Sequence, residues 1–222
     1  MTFMSVKTIP HEIVRDKISS SILSDVLDGM GFRHQTMREW MRPLYPGAVI
    51  IGCAHTMLMA EVQDPEEDTF PLQIEGIDRL KKDDVMVVAS NRSIEAALWG
   101  ELLSTAARCR GARGAVIDGL TRDTRQIEEM KFPVFAAGAR PSSSKGRCKA
   151  IDYGHRISCG GVSVEPGDLI FGDVDGIVVV PRDLAEEAVR RGIDRANSEN
   201  VTRKELVAGA LLKQVYEKYG TL

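Results

Sequence analysis

Apolar positions recur along this chain in two rhythms, one of about 3.6 residues and one of two, which mark helices and strands respectively. Ile22, Leu23, Val26, Leu27 and Met30 follow the helical rhythm behind two candidate N-caps, Ser19 and Ser20, and Gly31 stops the run. Ahead of it, residues 1–18 read as a polar lead-in with a short helical turn after Pro10, and 33–47 read as irregular, with Pro43 and Pro46. Two successive strands are expected at 48–54 and 55–62, then an acidic loop at 64–68, a short helix at 73–80 and a charged turn at 81–84. The run 85–89 is wholly apolar and reads as a central strand. Residues 101–110 form a helix of good formers that Gly111 ends, and Val116 and Ile117 make a short buried strand that Asp118 and Gly119 turn away. A short helical connection at 124–130 leads to a strand at 132–136 whose Pro133 marks an edge or a start. Strands at 162–164, 169–172 and 177–180 are joined by turns at 165–168 and 173–176, and Pro181 closes the set. A helical pattern runs from Asp183 to about Ala208, Gly209 breaks it, and a second helix covers 210–219.

Short strands and helices mixed in this way, without strict βαβ alternation, predict an α/β sandwich with a mixed sheet and C-terminal helices. The chain has 222 residues, which favours one domain, 1–222, with a C-terminal helical extension from about 184. Hydrophobic content of 43% and charged content of 27% are those of an ordinary globular protein. A net charge of −3 argues against a nucleic-acid binder that relies on bulk charge. The charged first twenty residues resemble no signal peptide, and no stretch reaches the length of a membrane span, so a cytoplasmic location is expected. Cys53, Cys109, Cys148 and Cys159 lack CxxC spacing, and His11, His34, His55 and His155 are scattered, so neither set predicts a metal centre. The polar loop 138–146 is no P-loop, because Ser144 precedes Lys145 and Gly146 follows it; it is expected to border a subunit contact. Turn chemistry accounts for Asp173 and Asp175. Arg190 and Arg191 are read as solvated, a solvated face explains Asp25 as well as a role does, and Glu199 lies one turn from a pairing partner, Arg203.

The chemistry concentrates between Gly100 and Asp123. Helix-start N–H groups near Gly100, Glu101, Leu102 and Leu103 form an anion site, and Gly100 permits close approach to the backbone. Arg122 offers a planar fork that matches a carboxylate, and Asp123 a hard oxygen for a divalent cation that keeps several waters. A small 2-oxo acid would satisfy this set. Glu101 has a second explanation, since the macrodipole alone favours an acid in a first turn. Trp99 reads as a packing residue. Three Arg-Asp pairs occur, at 15, 122 and 182, but only Arg122 has an acid 21 places upstream, Glu101.

An acid, twenty residues and then Arg-Asp resembles the signature of the metal-dependent pyruvate aldolases that cleave 4-hydroxy-4-methyl-2-oxoglutarate and 4-carboxy-4-hydroxy-2-oxoadipate, a family that includes the regulator of ribonuclease activity A. The run from Ser20 to Asp28 is similar to the family's opening helix, and Val162 to Asp168 followed by Asp173-Val174-Asp175-Gly176 is similar to its later strands. The resemblance extends from about Ser19 to Gly209. It implies the swivelling β/β/α fold, assembled as trimers or a dimer of trimers; the charge and the lack of a span, separately, predict no nucleic-acid or membrane partner. It implies a lyase in which Asp123 anchors Mg²⁺ or Mn²⁺, Arg122 holds the substrate carboxylate or keto oxygen, and Glu101 acts on a metal-bound water. Oxaloacetate decarboxylation would pass through the same enolate. In the family a C-terminal acid from a neighbouring subunit helps hold water near the metal, and Glu199 is the candidate here. Many members once carried a methyltransferase label, but this chain shows no clear glycine fingerprint for S-adenosylmethionine. The alternative is a non-catalytic regulator that binds a ribonuclease by protein contact. A regulator has no chemical reason to keep Glu101, Arg122 and Asp123 together, which favours the enzyme.

Overall fold

The structure is a computed structural model that describes residues 11–63 and 68–220. Two short helices, α1 (His11–Lys17) and α2 (Ser20–Gly29), open it. A two-residue strand β1 (Arg42–Pro43) precedes β2 (Ile50–Glu61), which is one continuous strand and not two. Then come α3 (Pro71–Asp78), β3 (Asp84–Trp99), α4 (Glu101–Cys109), β4 (Gly114–Thr121), α5 (Thr124–Glu129) and β5 (Val134–Ala139). Five short strands follow: β6 (Cys148–Tyr153), β7 (Ile157–Cys159), β8 (Val162–Val164), β9 (Leu169–Gly172) and β10 (Ile177–Val180). The 23-residue α6 (Ala185–Val207) and the shorter α7 (Leu212–Tyr219) end the described chain. The acidic loop expected at 64–68 lies, Asp68 apart, outside the described residues, as do residues 1–10 of the lead-in.

The main sheet runs β1-β5-β4-β3-β2-β9-β10, with β6 also paired to β2; β7 and β8 form a separate hairpin. The sheet is mixed, as the sequence predicts: β2, β3, β4 and β5 are parallel, and β1, β6, β9 and β10 are antiparallel to their neighbours. Within that parallel centre the order is a regular βαβ alternation, with α3, α4 and α5 as the crossovers. The irregular outer strands conceal it in the hydrophobic pattern. No helix among the described residues is long and apolar enough to cross a membrane.

Side-chain alternation along the strands divides the core. In β3, Met86 and Val88 point toward α3, α4 and α5, where Ile77, Ala107 and Ile127 meet them. Val85, Val87 and Ala89 point the other way, under the β7–β8 hairpin, with Val162 and Val164. Leu169 and Phe171 of β9 and Val178 and Val180 of β10 pack against Leu23, Leu27, Ala188 and Val189 of α2 and α6. The helices on that side are fixed by polar contacts as well. The Asp173 carboxylate accepts hydrogen bonds from the Ser20 backbone N–H (2.8 Å) and hydroxyl (2.6 Å), which ties the start of α2 to the β9–β10 turn. It also accepts from the Asp175 N–H at 3.0 Å, within the turn, whereas the Asp175 carboxylate accepts from the Ser21 hydroxyl at 3.5 Å. Asp25 pairs with Arg195 at 2.6 Å, joining α2 to α6.

Removing the Asp173 carboxylate leaves helix-start donors without an acceptor. Asp173→Ala is expected to cost about 1–2 kcal/mol, read as a lower midpoint in thermal or urea denaturation. An unchanged midpoint would mean that the Asp173 contacts add nothing to the hold on α2.

Candidate active site

The start of α4 and the carboxyl end of β4 are stitched together by one carbonyl. The backbone O of Trp99 accepts the Arg122 N–H at 2.9 Å and the Thr121 hydroxyl at 3.1 Å. Trp99 itself is buried, and its Nε1 donates to the Ser104 hydroxyl at 2.7 Å, one turn into α4. It is the packing residue that the sequence predicts, and it fixes the strand-to-helix corner. Gly100 occupies the N-cap with extended backbone (φ −157°, ψ −170°).

At that corner Arg122 and Asp123 come against Gly100. A Cβ built on Gly100 would lie 2.6 Å from Asp123 Oδ2 and 3.1 Å from Arg122 Cγ, so the missing side chain is what admits them. Asp123 adopts left-handed backbone (φ 58°, ψ 37°), which Asp tolerates better than most residues. That conformation turns the chain from β4 into α5 and sends the carboxylate back to α4. There Oδ2 accepts the Glu101 N–H at 3.1 Å, and Oδ1 accepts Arg122 Nε at 3.3 Å. The side chains of Arg122 and Asp123 remain 39% and 30% exposed, enough to meet a ligand.

Gly100, Arg122 and Asp123 line an open cavity of about 190 Å³ at the carboxyl ends of β3 and β4. This is the edge at which α/β sheets bind ligands. Phe70, Leu98, Leu102 and Leu103 contribute apolar lining, and Ser143 and Ser144 also line the cavity. The serines arrive because the 138–146 loop folds back on β3: the Ala97 N–H donates to the Ser142 carbonyl at 2.9 Å, and Ala97 and Ser143 form an isolated bridge. Neither the serine wall nor Phe70 was foreseeable. A Gly/Ser loop carries no signal of the strand it will lie against.

Three expectations need correction or refinement. The chain does not turn at Asp118 and Gly119, because β4 continues through them to Thr121. Gly119 is there for space: a Cβ would lie 2.8 Å from Ser90 Oγ and 2.9 Å from Leu98 Cδ1. The Asp118 carboxylate is buried and accepts the Gly160 N–H at 3.0 Å, pinning the β7–β8 turn. Secondly, the Glu101 N–H is not free for a ligand, since Asp123 takes it. The amides of Leu102 and Leu103 are the first-turn donors left without an intrahelical acceptor. The Glu101 carboxylate turns along its own helix, where Oε1 accepts the Thr105 hydroxyl at 2.7 Å. Thirdly, Glu199 pairs with Arg195 at 3.2 Å, whereas Arg203 donates to Asn200 at 2.6 Å. Glu199 lines a different cleft of this chain, with Asp16 and Lys17.

Among the described residues, the other reactive side chains gather into no second metal-ligating cluster. Burial pushes the thiols of Cys148 and Cys159 up, away from the thiolate, and it pushes His55 down. No group of three or more His, Cys, Asp or Glu side chains able to hold a metal occurs among the described residues.

A parallel-centred α/β sheet with a polar corner and a small-molecule cavity at its carboxyl edge defines the class. Residues 20–179 match the RraA-like (Aldolase/RraA) family model, and the chain belongs to that family. It is 31% identical to Protein DlpA of Legionella pneumophila over 90% of its own length, but spans only 32% of that protein. It is 30% identical to a Halalkalibacterium halodurans protein named "Putative 4-hydroxy-4-methyl-2-oxoglutarate aldolase", over 78% of each chain. The crystal structure of Streptomyces coelicolor RraAS2, described as an unusual member of the RNase ES inhibitor RraA protein family, superposes with a TM-score of 0.77 at 28% identity, covering 88% of this chain and 98% of that one.

The Gly100 contact makes a stability prediction that is independent of any activity. The Gly100 backbone is extended and any residue adopts it, so Gly100→Ala acts only by pushing Asp123 and Arg122 aside. A loss of about 1–3 kcal/mol is expected, measured by denaturant unfolding. A variant as stable as the parent would show that the corner is looser than described.

Proposed function

We propose that this protein is a divalent-metal-dependent pyruvate aldolase. It would cleave 4-hydroxy-2-oxo diacids, such as 4-hydroxy-4-methyl-2-oxoglutarate, to pyruvate, with oxaloacetate decarboxylation as a side activity. One observation carries the proposal: Arg122 and the Asp123 carboxylate meet at the side-chain-free N-cap of α4, on the wall of a small-molecule cavity. The name of the Halalkalibacterium halodurans relative supports it.

The donor set fits one kind of metal. Asp123 supplies a single hard carboxylate, and no three-ligand protein cluster stands nearby among the described residues. That composition suits Mg²⁺ or Mn²⁺, which retain water and take substrate oxygens, and not a closed zinc site. Asp123 would hold the ion, with Glu101 of the same chain and Glu199 of a neighbouring one acting through water in a trimer or dimer of trimers. When bound, the ion supplies Lewis-acid polarisation of the C2 carbonyl.

The protein's own groups do the rest. The Leu102 and Leu103 amides, at the positive end of α4, bind the substrate carboxylate. Arg122 holds that carboxylate or the keto oxygen, and offsets the negative charge that builds on the oxygen as the C3–C4 bond breaks. The C4 hydroxyl proton leaves through water to the Glu101 carboxylate, whose Oε2 has no hydrogen-bond partner among the described residues. The C3–C4 electron pair becomes the C2–C3 double bond, C4 becomes a carbonyl, and C3 then takes a proton to give pyruvate.

The similarity to RraAS2 favours a second reading, regulation of a ribonuclease by protein contact. The two separate in a coupled pyruvate assay with Mg²⁺ or Mn²⁺. The parent protein is expected to release pyruvate from 4-hydroxy-4-methyl-2-oxoglutarate, and Asp123→Ala to lose that activity by about 10³-fold or more while remaining folded. An undiminished rate in Asp123→Ala would rule out the assignment.

A further inference from the structure

Three consecutive serines, Ser142, Ser143 and Ser144, bring the 138–146 loop to the cavity, and their hydroxyls are held unequally. The Ser142 hydroxyl accepts from Arg140 Nε at 3.3 Å, and the Ser143 hydroxyl accepts from the Lys145 N–H at 3.2 Å. Ser144 is fixed through its backbone instead. Its carbonyl accepts the N–H groups of Arg147 at 2.8 Å and Cys148 at 2.9 Å. Its hydroxyl has no hydrogen-bond partner among the described residues, although the residue is only 4–5% short of complete burial, at 5% exposed, and lines the cavity. Nor is that hydroxyl sealed in the core: among the described residues, the side-chain polar atoms closed off from solvent without a partner are His55 Nε2 and Thr69 Oγ1.

A buried serine nearly always finds a hydrogen-bond partner. A hydroxyl that reaches a cavity can take its partner there, from water or from a ligand oxygen. The charge of the loop says which kind of oxygen. Residues 138–147 hold Arg140, Lys145 and Arg147 and no acid, so the potential on this side of the cavity favours an anion. Ser144 shares one cavity of about 190 Å³ with Arg122 and Asp123, so one small diacid can meet all three. The C1 carboxylate and keto group of a 4-hydroxy-2-oxo diacid are taken by Arg122, Asp123 and the α4 amides. The carboxylate on C4 is the anionic group left.

Resting on the aldolase reading above, we propose that Ser144 is a substrate-binding residue whose hydroxyl donates to the C4 carboxylate of the diacid, in the positive field of the 138–147 loop. It recognises the end of the substrate remote from Asp123. The side chain is short and its backbone is already tied down at Arg147 and Cys148, so little freedom is lost when the bond to substrate forms.

The test is Ser144→Ala, which removes the hydroxyl and little else. With Mg²⁺ or Mn²⁺, kcat/KM for 4-hydroxy-4-methyl-2-oxoglutarate is expected to fall by about tenfold or more. The inhibition constant of oxalate, which mimics the pyruvate enolate and has no C4 group, should be unchanged. The urea unfolding midpoint should be unchanged as well, since the hydroxyl gives up no protein partner. An undiminished kcat/KM, an oxalate constant that weakens as much as kcat/KM falls, or a lowered midpoint overturns this inference while the aldolase reading stands. No pyruvate from the parent protein overturns both.

Discussion

The structure turns on one carboxylate placed in an unfavourable backbone conformation. Left-handed φ at Asp123 costs on the order of 1 kcal/mol or more. A charge-assisted hydrogen bond to the Glu101 amide contributes about 1.5–3 kcal/mol, and the dipole of α4 adds up to about 1 kcal/mol. The contacts outweigh the strain, so the conformation persists. The same bond brings the residues after β4 onto the first turn of α4, and nothing larger than the hydrogen of Gly100 fits between.

This corner is rigid because it sits on the most deeply buried part of the fold. Val116 and Ile117 of β4 and Val87 and Val88 of β3 are inaccessible to solvent, and Trp99 closes the end of β3 over Ser104. Core packing therefore holds the corner from beneath. Asp118, three residues before the end of β4, uses its buried carboxylate to hold the hairpin on the opposite face. Two acids of one stretch thus divide the work: Asp118 binds the layers together, and Asp123 serves the cavity edge.

Much of this was legible in the residues. The strands at 85–89 and 177–180 are apolar throughout, and the cap-to-glycine limits of α2 and α4 follow from Ser19, Gly31 and Gly111. The spacing between Glu101 and Arg122 encodes one crossover, the helix α4 plus the strand β4, so it correctly brings the two ends together. What stayed hidden depends on partners distant in sequence. Cys148 to Tyr153 become a strand only because β2 offers them an edge. Asp118 and Gly119 look like a turn because the reasons for both, the Gly160 amide and the Ser90 and Leu98 side chains, are tertiary. The serine wall and the inward cap from Asp123 to Glu101 are tertiary in the same sense.

The most direct test of the central claim is a crystal structure of the protein soaked with Mn²⁺ and pyruvate, with the metal located by its anomalous scattering. The account predicts a single strong peak at the Asp123 carboxylate, with the pyruvate carboxylate on Arg122 and the Leu102 and Leu103 amides. A peak elsewhere, or a fully loaded crystal in which Asp123 contacts only the α4 amide and Arg122, would contradict it.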